Sequence, residues 1–207
     1  MSARSIVVGL LLLLVAVPVA RADGDPASDY LLGQPSFIPP DAGVPPAYAK
    51  QLNQVLLDAK DKGYRIRVAL IASRYDLGSV GVLDKQPKRY ARFLGQELLF
   101  VYRGHLLVVM PNGLGVSRAG KPAPAEQATV DRLPPPGAGG AGLASAATRA
   151  VVRLAANAGA VVPVPPLSGD TSTPNPNHDR LLIVLVTAVA LAGFAAYRLR
   201  RRFRRQD

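Results

Sequence analysis

The feature that most limits what this chain can fold into is Leu181 to Tyr197, LLIVLVTAVALAGFAAY, followed at once by RLRRRFRRQD. As an α-helix this apolar run would be about 26 Å long, close to the hydrocarbon thickness of a bilayer. A helix in a soluble core keeps a polar face, whereas this one is apolar all round. Six arginines, Arg198, Arg200, Arg201, Arg202, Arg204 and Arg205, follow it, against a single Arg180 on its other side. The pattern predicts a transmembrane helix over 181–197 and, by the positive-inside rule, a cytoplasmic Arg-rich tail over 198–207. The rest of the chain is then expected outside the cytoplasm.

The other end predicts the same topology. Arg4 precedes an apolar run from Ile6 to Val17, and Ala20-Arg21-Ala22 stands before Asp23. That is the layout of a secretory signal peptide over 1–22, since a run of about 12 residues is short for a span and Ala-x-Ala is the pattern a signal peptidase reads. The expected location is the cell membrane, single-pass, with the N-terminal domain extracytoplasmic and the C-terminal tail cytoplasmic.

Topology also explains most of the charge. The whole chain carries a net charge of +11, but residues 23–180 hold 17 basic and 13 acidic side chains, an excess of only four. A strongly basic chain raises nucleic acid as a partner class; here the excess sits mainly in the tail, where it favours anionic lipid headgroups, and no nucleic-acid partner is expected. The chain has no cysteine, which excludes disulfides, thiolate metal sites and cysteine nucleophiles.

Between the ends, composition divides the chain again. Residues 161–180 include PVPPLSGDTSTPNPNHD, with little to bury, and read as a Pro/Ser/Thr-rich stalk in which Ser168, Thr171, Ser172 and Thr173 are compositional candidates for O-linked sugar. Residues 23–46 are polar and proline-broken and read as an extended segment, with Phe37-Ile38 as a short strand. Tyr48, Leu52, Val55, Leu56 and Ala59 recur at helical spacing between Pro45-Pro46 and Gly63. Tyr64 to Ser73 alternates and then turns apolar on both faces, as a strand entering a covered sheet does. A second helix is expected from near Asp84, with Tyr90, Phe93, Leu94 and Leu98 on one face and Gly95 weakening its far end. Leu99 to Tyr102 fits either a strand or a helix end. Leu106 to Met110, Pro111-Asn112-Gly113 and Leu114 to Ser117 read as a hairpin. After PPPGAGGAG, from Pro134 to Gly142, a third helix is expected over Leu143 to Ala158. This order predicts an α/β domain over 47–160, a small mixed sheet covered by helices.

Asp41-Ala42-Gly43, KQLNQVLLDAKDKGYRIRVALIAS, the Tyr90-Ala91 helix and GHLLVVMPNGLGVSRAG together resemble the TPM domain. That family is named for a thylakoid lumen protein, a photosystem repair factor and a modulator of an acetylcholine receptor. The resemblance covers Ile38 to Gly120, and implies a small extracytoplasmic α/β module of the kind bacterial members pair with a signal peptide and a trailing membrane helix. Family members usually follow the later strand with a glycine-rich turn bearing an acidic residue; here Ser117-Arg118-Ala119-Gly120-Lys121 stands instead.

Motifs of chemistry are sparse. Gly137-Ala138-Gly139-Gly140-Ala141-Gly142 has the G-x-G-x-x-G spacing, but Pro134-Pro135-Pro136 stands where a strand is needed, so it reads as a linker. Gly115-Val116-Ser117-Arg118-Ala119 echoes a nucleophile elbow, with Gly120 and Pro122 where a helix must follow. His105 opens a strand and His178 sits at the expected membrane edge, without the clustered ligands a zinc site requires. Asp41, Asp76 and Asp84 could converge at the carboxyl end of the sheet and hold a hard cation, and some TPM relatives are described as phosphatases or ion binders. The competing reading makes Asp41 and Asp84 helix-start residues and Asp76 a turn residue, and it is preferred. No catalytic, cofactor-binding or metal residue is assigned, and no cofactor is implied. The expected function is a membrane-anchored, non-catalytic interaction or assembly module with the lipid bilayer and an envelope protein as partners. The alternative is an acid phosphatase-like or divalent-cation-binding hydrolase built on the Asp cluster.

Overall fold

Strand segments that are apolar on both faces need cover on both sides, and the arrangement of the chain supplies it. A computed structural model describes residues 24–167. Five strands, β1 (Ser36–Phe37), β2 (Ile66–Leu70), β3 (His105–Met110), β4 (Gly113–Arg118) and β5 (Lys121–Pro122), form one sheet in the order of the sequence. β1, β2 and β3 run parallel, and β4 and β5 are antiparallel to their neighbours, so the sheet is mixed and the fold is α/β. In register, Ile66 pairs with His105 and Val68 with Leu107, while His105 also pairs with Arg118 across the hairpin.

Alternation along the strands sends side chains to two cores. Ile66, Val68, Leu70, Leu107, Val109, Leu114 and Val116 face one, closed by α2 (Pro46–Asp61) and α5 (Gly139–Asn157), with Val130 of α4 (Pro124–Val130) at its margin. Ala69, Ile71, Leu106, Val108 and Met110 face the other, closed by α1 (Pro26–Leu31) and α3 (Pro87–Glu97). α2 contributes Leu52, Val55, Leu56 and Ala59, as its period predicts. α5 contributes mainly alanine methyls, Ala144, Ala147, Ala150 and Ala155, with Val151 and Leu154. Each large aliphatic side chain so buried is worth about 1.5–3 kcal/mol.

Several boundaries differ from the sequence expectation, each for a local reason. Residues 23–46 are not simply extended. Pro26 stands in the first turn of α1, where its missing N–H costs nothing, and Asp25 caps the helix by accepting from Ala27 N at 3.1 Å. Ala27, Leu31 and Phe37 are buried in the second core, and the strand is Ser36–Phe37 rather than Phe37–Ile38. α3 begins at Pro87, because Arg74–Leu83 forms a kinked 3-10 segment with a left-handed Gly78. Asp84 ends that segment in an extended conformation and starts no helix. α3 continues through Gly95 into a 3-10 turn, Leu98–Phe100, so Leu99 to Tyr102 is a helix end and turn. Gly95 is there for proximity: a Cβ at this position would stand 2.7 Å from Ser117 Oγ and 2.9 Å from Gly120 Cα. α5 starts earlier than Leu143, because Gly140 packs directly on the backbone of Ala42 and Val44.

The start of the expected stalk belongs to the folded body. Val162 is buried, and Gln51 Nε2 donates to the carbonyl of Pro165 at 2.5 Å. Residues 168–180, the expected signal peptide at 1–22, the expected span at 181–197 and the tail at 198–207 lie outside the described residues. No helix among the described residues is long and apolar enough to cross a membrane.

Candidate functional site

The carboxylates singled out in the sequence do not form a site. Asp76 is buried, and its Oδ2 accepts from the backbone N–H groups of Ala72 and Ser73 at 2.7 and 2.8 Å. Ser73 reciprocates in a capping box, so this carboxylate is committed to closing the loop after β2. Asp41 is exposed in the 3-10 turn Pro40–Ala42, and is not the cap of α2, which is Pro45. Among the described residues, no group of three or more His, Asp or Glu side chains is placed to hold a metal ion. Asp41 thus stands in the first turn of a 3-10 helix and not at the start of α2, Asp84 starts no helix, and Asp76 closes its turn as that reading requires.

The remaining motifs resolve in the same way. Ser117 is fully buried in β4 and donates to the carbonyl of Ala91 at 2.6 Å, tying the sheet to α3. The glycine-rich stretch opens α5 and is preceded by prolines, not by a strand. His105 stacks on Tyr64 with ring centroids 4.5 Å apart, and its Nδ1 lies 2.9 Å from Glu126 Oε1. The Tyr64 hydroxyl and Glu126 Oε2 are buried without hydrogen-bond partners among the described residues. Burial holds the Tyr64 hydroxyl well above the ordinary tyrosine range, and the nearby Glu126 charge adds to this. Tyr64 and Glu126 escape a reading of the sequence because they come from segments 62 residues apart. A second buried pair joins Tyr90 to Asp25: the hydroxyl lies 2.7 and 2.8 Å from the two carboxylate oxygens.

Another group of charged and polar side chains lies at the end of the sheet where β2 begins, opposite the loop of Asp76. A groove of about 270 Å³ is lined by Gln34, Leu57, Lys60, Arg65, Arg67 and Tyr102, among others. The Arg67 guanidinium lies over the Tyr102 ring, 4.2 Å from its centroid. The Tyr102 hydroxyl is held 2.9 Å from the carbonyls of Arg65 and His105, which fixes the ring beneath the guanidinium. Burial pushes that hydroxyl up to about 12 against the opposing pull of Arg67 and Arg65. Arg67 Nη1 is buried with no partner among the described residues, and Nη2 reaches the Leu32 carbonyl only at 3.5 Å. In the sequence Arg65 and Arg67 alternate with Tyr64, Ile66 and Val68, but nothing there shows that they meet Tyr102.

Compared with known proteins, the chain matches no family model, no curated protein and no solved structure. What can be said of its function therefore rests on its own residues.

Proposed function

We propose that this is a single-pass, membrane-anchored extracytoplasmic domain of the TPM type that acts as a non-catalytic interaction or assembly module at the cell envelope. The observation that carries this reading is the turn after α3. Phe100 is 96 % exposed and Val101 57 % exposed, side by side, just past α3, whose Tyr90 and Leu94 are buried, as is Leu98 after it. An aromatic and an aliphatic side chain left in water at one turn are contact chemistry, because burying them against a partner recovers the hydrophobic free energy that folding leaves unused. The expected span at 181–197 and tail at 198–207 would fix the module beside envelope proteins, raising their effective concentration. The hydrolase alternative draws no support from Asp41, Asp76 and Asp84, since Asp76 is spent on backbone amides and no cluster forms among the described residues.

The test uses the full-length chain in its own membrane. A photo-crosslinking amino acid at Val101 is expected to give a discrete protein adduct that disappears on Phe100→Glu, while the same probe at the exposed Arg153 of α5 gives none. An adduct pattern indifferent to Phe100→Glu overturns the reading. So does phosphomonoester hydrolysis by the full chain that is lost in Asp41→Asn or Asp84→Asn, two substitutions that break no hydrogen bond holding the fold.

A further inference from the structure

Arg67 presents a problem that the fold does not solve. Its guanidinium is stacked and held in place, yet one nitrogen is buried without an acceptor. Leaving a charged donor unpaired costs more than leaving a neutral one. The charged residue that bears on it is another cation, Arg65, and burial already pulls the Arg67 guanidinium below its ordinary range. The ion pairs of the described residues, Lys88 with Asp131 and His105 with Glu126, involve none of Lys60, Arg65 and Arg67. Three cations thus line one groove, with no carboxylate of the described residues among its lining.

We propose that this groove is a binding site for a phosphate group, with Arg67 as its principal ligand and Lys60 and Arg65 as flanking cations. A tetrahedral oxyanion offers oxygens in several directions and can meet donors from the end of α2 and from the start of β2 together. A carboxylate offers two oxygens in one plane, which Arg67 alone would satisfy. The groove is at the small end for a ligand site and large enough for a phosphoryl group and its first substituent. Leu57 and Pro35 in its wall provide apolar surface for that substituent. Tyr102 acts as a positioning residue: its ring sets the plane of the guanidinium before any ligand arrives, which lowers the ordering cost of binding. The same chemistry could be met by a soluble phosphate or by a phospholipid headgroup. The inference is independent of any protein partner at Phe100.

The experiment compares the two sources on the full-length chain in uncharged detergent micelles. Modification of individual arginines by phenylglyoxal is followed by peptide mass spectrometry, with Arg153 as the internal reference. One arm adds inorganic phosphate; the other mixes phosphatidylglycerol into the micelle at constant ionic strength. Slowing at Arg65 and Arg67 relative to Arg153 in the first arm identifies a soluble phosphate, and slowing only in the second identifies a headgroup. In either case Lys60→Gln, a substitution at an exposed position, is expected to raise the half-protecting concentration about threefold, and Arg67→Gln to abolish protection of Arg65. Modification rates of Arg65 and Arg67 that stay unchanged relative to Arg153 in both arms overturn the proposal, as does protection unchanged by Lys60→Gln and Arg67→Gln.

Discussion

Substituting Tyr90 by phenylalanine removes one oxygen atom, and its consequence should depend on pH. Tyr90 is fully buried on α3, and its hydroxyl donates to the carboxylate of Asp25, which is itself buried at the start of α1. The ring stays in place, so the substitution isolates the hydrogen bond. A bond to a charged group contributes about 1.5–3 kcal/mol, and a loss of about 2 kcal/mol would lower Tm by about 6 °C in a domain of this size. The sign of the pH dependence follows from Asp25. Burial raises its pKa above the ordinary aspartate value, and the Tyr90 hydrogen bond opposes that rise. A carboxyl whose folded pKa is raised binds its proton more tightly folded than unfolded, so stability falls as pH rises from about 4 through the folded pKa. Removing Tyr90 Oη raises the folded pKa further. The loss should therefore be full at pH 7 and smaller at pH 4.5, where protonation relieves the uncompensated anion. Thermal unfolding of the full chain, followed by tyrosine near-ultraviolet circular dichroism at both pH values, measures it. An equal Tm shift at the two pH values, or none at pH 7, would refute the coupling.

Other outcomes follow from single contacts. Tyr64→Phe deletes a buried hydroxyl with no partner, so it should leave Tm unchanged or raise it, by up to about 1 kcal/mol of stability; a clear drop in the same melt would show that the hydroxyl is satisfied in solution. Gly95→Ala places a methyl against Ser117 and Gly120 and should cost about 1–3 kcal/mol as overpacking; a Tm at or above that of the parent chain would contradict the close approach of α3 to β4. Asp76→Asn weakens the two backbone hydrogen bonds that close the loop after β2 and should cost about 1–2 kcal/mol. Amide exchange at Ala72 and Ser73 should accelerate with it, and unchanged exchange would mean the capping box is not what holds that loop.

The parts of the fold that could be read from the sequence are those in which burial imposes a period. α2 shows its four buried positions at helical spacing, and β2 and the β3–β4 hairpin show apolar runs ended by turn residues. α1 hides because six residues are too few to display a period, and because its anchor is Asp25, a charged side chain that composition assigns to solvent. The start of α3 was misplaced for a related reason: a 3-10 segment built on Gly78 and Gly81 carries apolar residues without a helix to order them. At the groove, Arg67 and Tyr102 are each ordinary in their own segment. Their stacking is a product of the β2–β3 register, which brings the start of one parallel strand beside the approach to the next.

The two margins of the sheet restrict how the molecule can associate. β1 and β5 are only two residues long; β1 lies between Pro35 and Pro39-Pro40, and β5 contains Pro122 with Pro124 beyond it. Proline donates no backbone hydrogen bond, and strands this short give an incoming strand almost no ladder to extend. A domain concentrated on a membrane surface would meet copies of itself far more often than one free in solution. Blunt margins of this kind oppose runaway strand-to-strand growth under such crowding, and they leave recognition to side chains, where one substitution can change the choice of partner without disturbing the sheet.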